Sequence, residues 1–182
     1  MSTRDRSQDA TTAIPCIYIT RTTDQCHGGN AWHEFDTEVM KTSHFSYNAN
    51  FTKIRLDKGE GYYEIIFECS YELYTTEHRL ITLKDTIYLN GSAIPDASSW
   101  TGFGEYYNAD GQLYEDFLGN NKIHIIQYLK PGDEIKVYMD TKWNYAACAV
   151  ADTCRLIIRF LPMHGWNNSS GGQLEYKGGV MR

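Results

Sequence analysis

Histidine, cysteine and carboxylate side chains are where chemistry would begin in this chain, and their spacing offers little of it. Cys26-His27 with His33, or Cys148 with Cys154, could supply zinc ligands. Neither set has the Cys-x-x-Cys or His-Glu-x-x-His spacing that converges on one ion from a short segment. Asn108, Asp110 and Glu115 lie around Gly111 and could hold calcium, but their density is below that of an EF-hand loop and an ordinary turn is the better reading. Glu64, Glu68 and Glu72 recur every fourth residue. On a strand such positions stand roughly 13 Å apart, too far for the paired carboxylates of a glycosidase. A solvated or interface face accounts for them better. There is no Gly-x-Ser-x-Gly elbow, Walker loop or dinucleotide fingerprint, and Gly102-Phe103-Gly104 is an isolated glycine pair. The expectation is a protein with no catalytic residues, no resident cofactor and at most a calcium ion.

The five cysteines, Cys16, Cys26, Cys69, Cys148 and Cys154, are an odd number, which excludes a complete intrachain disulfide set. Cys16 with Cys26, or Cys148 with Cys154, could each close a short loop, but reduced, buried thiols acting as small hydrophobes are the favoured reading. Cys69 falls on the apolar face of a patterned strand and belongs to a core. Asn-x-Ser/Thr sequons stand at Asn50, Asn90, Asn167 and Asn168. They matter only on a secretory route, and residues 1–13 carry no apolar signal segment.

The elements that must position these groups are strands. Tyr63, Ile65, Phe67, Cys69, Tyr71 and Leu73 alternate with Tyr62, Glu64, Ile66, Glu68, Ser70 and Glu72, a period of two that buries one face. Strand-like runs also cover 14–20, 51–56, 79–89, 123–129, 134–140 and 155–161, where Leu156, Ile158 and Phe160 oppose Arg155, Ile157 and Arg159. Turn chemistry at 57–61, Asn90-Gly91 and 130–133 reads as hairpin connections. Residues 92–121 read as a long aromatic crossing with at most one short strand. Seven or eight strands of this kind predict an all-β, single-domain jelly-roll sandwich over 14–162, flanked by a polar arm at 1–13 and a glycine-rich arm at 163–182.

Composition agrees. The chain has 182 residues, 42% of them hydrophobic, and 14 of its aromatic residues are tyrosine. That is enough for one sizeable core. A net charge of −6 speaks against general nucleic-acid binding, and no apolar run reaches the length of a membrane-spanning helix.

Several local signatures lie in a consistent order. They are Trp32-His33-Glu34-Phe35-Asp36; Phe51 followed by Gly61-Tyr62-Tyr63; Ile87-Tyr88-Leu89-Asn90-Gly91; Tyr128-Leu129-Lys130-Pro131-Gly132-Asp133-Glu134-Ile135; and the closing Cys154–Phe160 strand, which lacks an expected glycine. Together, from about Cys16 to Leu161, they resemble the superfamily of tumour necrosis factor and the complement globular head. The resemblance implies a jelly-roll protomer packed into a homotrimer, with Phe35, Phe51, Tyr63, Phe67, Tyr71, Tyr128 and Phe160 as trimer-interface or core candidates. Trp100, Phe103, Tyr106 and Tyr107 are candidates for a ligand-facing surface. With no collagen-like stalk and no signal segment in the sequence, the expected function is a non-enzymatic structural protein of a virus or phage particle. It would be a capsid-decoration, vertex or fibre-head trimer, located in the virion and attached to another virion protein through its arms. The alternatives are a head that binds glycans or a receptor, and a secreted, extracellular complement-like or cytokine-like trimeric ligand.

Overall fold

The computed structural model describes residues 14–27, 29–73, 81–103, 118–141 and 147–162. Both arms, the candidate calcium loop with Asn108, Asp110 and Glu115, and the ligand-surface candidates Tyr106 and Tyr107 lie outside those residues. Thirteen strands are described: β1 Cys16–Thr20, β2 Gln25–His27, β3 Ala31–Trp32, β4 Thr37–Lys41, β5 Phe45–Tyr47, β6 Ile54–Leu56, β7 Gly61–Leu73, β8 Ile81–Leu89, β9 Ser92–Phe103, β10 Leu118–Leu129, β11 Glu134–Thr141, β12 Ala147–Ala149 and β13 Arg155–Phe160. All their pairings are antiparallel, and they form two sheets.

The first sheet is built around β7, which pairs with β10 on one side and with β13 and β12 on the other; β13 passes the sheet on to β1 and β4. The second runs β5-β6-β11-β8-β9, with β3 also on β11. The alternation predicted for β7 holds along the strand: Tyr63, Ile65, Phe67 and Tyr71 are fully buried, with Cys69 almost so. Leu156 and Ile158 of β13 and Ile17 and Ile19 of β1 join them. Ile54, Leu56, Leu83, Ile87, Ile135 and Val137 of the second sheet close the core from the other side. Each fully buried side chain of this size contributes about 1.5–3 kcal/mol relative to an exposed one.

Three expectations are corrected. Of the predicted hairpins, only Asn90-Gly91 joins neighbouring strands: both residues have positive φ (52° and 82°), the geometry a two-residue primed turn needs. The connections at 57–61 and 130–133 carry the chain from one sheet to the other. Buried Asp133 holds the second corner, accepting from Lys130 N at 2.9 Å and from Asn90 Nδ2 at 2.8 Å. The crossing expected over 92–121 is strand at both ends, because 92–103 form the twelve-residue β9 and β10 begins at Leu118; 104–117 lie outside the described residues.

The third correction concerns the cysteines. Cys26 and Cys148 form a disulfide, and Cys16, Cys69 and Cys154 are free. Neither short-loop pairing occurs, because β2 and β12 lie side by side with Cys148 directly opposite Cys26. The disulfide also removes Cys26 and Cys148 from both candidate zinc sets.

Candidate interaction surface

The first sheet turns one face to the core and the other outward, and alternation decides what the outer face carries. Across β10, β7, β13 and β1 the outward residues fall into rows set by the register. Tyr128 stands opposite Tyr62, with their rings edge to face at 5.3 Å between centroids. Next to them, Ile126 faces Glu64, which pairs in turn with Arg159. A third row runs His124, Ile66, Ile157, Tyr18 and Met40, and a fourth Lys122, Glu68, Arg155 and Thr20.

This face alternates ion-paired rows with apolar ones. Glu64 binds Arg159 and, at 2.7 Å, His124 Nε2; Glu68 accepts from Arg155 Nε at 2.7 Å and pairs with Lys122. Arg159 on Glu64 and Lys122 on Glu68, helped by His124 and Arg155, hold both carboxyls below the usual range against the opposing effect of burial. Of the carboxylates read from sequence as a solvated or interface face, Glu64 and Glu68 are thus ion-paired. Between them Tyr128 is 40% exposed, Ile126 62% and Met40 51%, with Tyr62 also exposed. Large apolar and aromatic groups at this exposure, rimmed by satisfied charges, make a surface suited to a protein partner.

The outer face of the second sheet carries a separate aromatic group. Trp32 meets Tyr138 at 4.8 Å and Tyr88 at 5.2 Å between ring centroids, and the Lys136 ammonium lies 4.8 Å from the Trp32 ring. Trp100 is 53% exposed, with Lys84 Nζ 5.1 Å from its ring centre.

The candidates named from sequence separate cleanly. Phe35, Tyr63, Phe67 and Tyr71 lie in the core, while Phe160 and Phe51 pack at its margin. Phe51 is in a turn with φ 49° rather than in a strand, and stacks on Tyr47 at 4.0 Å. Tyr128 alone of the seven lies on an outer face. Trp100 is exposed, and Phe103 ends β9. Sequence reasoning did not single out Tyr62, Ile126, Tyr88 or Tyr138 for a surface, although the alternation that buries Tyr63, Ile87 and Val137 also turns their neighbours outward.

No family model matches the chain, and no curated protein does. Solved structures do. Eiger TNF from S. frugiperda superposes with a TM-score of 0.59 at 9% identity, covering 88% of this chain and 99% of that one. Murine APRIL superposes with a TM-score of 0.53 at 10% identity, covering 82% and 100%. Both are ligands of the TNF family, and the likeness establishes the TNF-like jelly-roll fold. Neither neighbour supports a viral or phage origin.

Proposed function

We propose that this chain is the head of a non-enzymatic, extracellular TNF-like ligand that assembles as a homotrimer and binds a receptor. The observation that carries the reading is the exposed Tyr62–Tyr128 pair, with Ile126, on the outer face of the β7–β10 sheet in a fold shared with TNF-family ligands. Self-association through that face would remove these side chains from water and leave the Trp32–Tyr88–Tyr138 face and Trp100 for a partner. The Cys26–Cys148 disulfide suits an oxidising compartment. The virion reading has no comparable support: its attachment arms lie outside the described residues, and the neighbours are ligands.

Light scattering coupled to size exclusion tests the assembly. The expected mass is three times the 20.9 kDa chain, and Tyr128→Asp should give a folded monomer by circular dichroism. A monomeric wild type at micromolar concentration would overturn the proposal. Saturable binding of the labelled trimer to cell surfaces, lost in the Tyr128→Asp variant, tests the ligand role; equal binding by the monomer would count against it.

A further inference from the structure

Beyond its outer faces, the sandwich encloses a buried group of polar and sulfur side chains that interface formation does not use. His33, at the exit of β3, is 2% exposed, Cys69 of β7 is 2% and Cys154, just before β13, is 1%. One ligand atom from each, the two Sγ atoms and a ring nitrogen, all lie within 4.8 Å of one another. The register brings the thiols together: Glu68 pairs with Arg155, so Cys69 and Cys154 stand at the next position across. The Cys69 thiol donates to Ser70 O at 3.6 Å.

The ring of His33 is held in a definite orientation. Its Nε2 lies 2.8 Å from Asp85 Oδ1, and Asp85 is fully buried. Asp85 Oδ2 accepts from the Tyr71 hydroxyl at 2.6 Å and from Asn121 Nδ2 at 2.7 Å. A carboxylate with these donors fixes the proton of the neutral ring on Nε2. That leaves the Nδ1 lone pair facing Cys154 Sγ at 3.7 Å. A carboxylate that orients a histidine whose other nitrogen meets two thiols is the arrangement by which proteins tune zinc ligands.

We propose that His33 Nδ1, Cys69 Sγ and Cys154 Sγ form an intraprotomer binding site for a thiophilic d10 metal ion, Zn2+. Binding exchanges the two thiol protons, released to solvent, for two Zn–S bonds, and the imidazole binds as its neutral form. Charge favours Zn2+ over Cu+. Two thiolates balance the charge of Zn2+ within the site. Cu+ would leave one negative charge buried. Asp85 is committed to its three donors, so the protein supplies three ligands and the ion keeps one position for another donor.

Metal analysis of the full-length chain, purified without chelator under anaerobic conditions, tests this. The expected content is one zinc per chain, and chains produced in Co2+ medium should show a thiolate-to-cobalt charge-transfer band. Cys154→Ala should lose both signals, whereas Cys16→Ala, outside the cluster, should keep both. If Cys154→Ala does not fold, the wild-type cobalt band decides alone. Chains without zinc or cobalt band, with Cys69 and Cys154 recovered as free thiols, would overturn the site, as would a mapped Cys69–Cys154 disulfide. One copper in place of zinc would overturn the choice of ion.

Discussion

His33 and Asp85 meet inside the sandwich, both buried, with Nε2 2.8 Å from Oδ1. The two flank β11 of the second sheet: the backbone N–H of His33, just beyond β3, donates to Val137 of β11, and β11 pairs on its other side with β8, where Asp85 sits. Tyr71 then reaches over from the first sheet to the same carboxylate. One polar group thus links both sheets, and a buried network of this kind stabilises only while every member is satisfied.

Removing the carboxylate should therefore be costly. Asp85→Ala leaves His33, Tyr71 and Asn121 without their shared acceptor, with an expected loss of about 3–5 kcal/mol in urea unfolding. Tyr71→Phe removes one donor and keeps the ring, so its loss should be smaller, about 1–3 kcal/mol. A loss under about 1 kcal/mol for Asp85→Ala would mean that the network contributes little.

Gly61 opens β7 at φ 151°, and a Cβ there would come within 2.6 Å of the Phe160 ring. Gly61→Ala should destabilise the fold by about 1–3 kcal/mol through strain and overpacking. Phe160→Leu in the same chain should recover part of that loss, because the ring edge is the obstacle. The check is a double-mutant cycle by thermal unfolding; purely additive losses would place the strain in the backbone alone.

Why the long strands were legible and the short ones were not follows from what each rests on. β7, β11 and β13 bury every second side chain, and that period is written in their residues. β2, β3 and β12 are two or three residues long and exist only through their neighbours, so no local pattern marks them. β9 was hidden by Pro95 and Asp96. Its register against β8 slips between Thr86 and Tyr88, and Asp96 takes φ 61° in the resulting irregularity, where a proline does not cost a ladder hydrogen bond. The sulfur cluster was half visible. His33 and Cys154 each appeared in a candidate zinc set, but with the wrong partners, because proximity across a sandwich is a property of topology rather than spacing.

The disulfide should contribute substantially. Cys26 and Cys148 are 122 residues apart in sequence, and a cross-link of that span restricts the unfolded chain strongly. Cys26→Ser/Cys148→Ser should lose about 2–5 kcal/mol, and a mild reductant should lower the melting temperature of the wild type but not of the variant. Equal responses of the two would show that the reductant acts elsewhere.

Acid should weaken the fold through Asp36 in a way one substitution can isolate. Burial alone would raise this carboxyl, but Thr22 N–H and the hydroxyls of Thr23, Thr37 and Thr22 outweigh it and bring the pKa from 3.8 to about 2. A folded pKa below the unfolded one means that the stabilisation is complete above the unfolded value and is lost as pH falls through the folded one. Glu64 and Glu68, also depressed, act in the same direction. Wild-type stability from urea unfolding should therefore fall from about pH 5 down to pH 2. Asp36→Ala should be less stable than wild type at neutral pH, and the gap should close between pH 3.8 and about 2. The loop at Thr22 and Thr23 is tied to β4 by these hydrogen bonds, so the variant should also speed amide exchange there. A gap that stays constant down to pH 2 would show that the carboxylate's charge adds nothing to this tie.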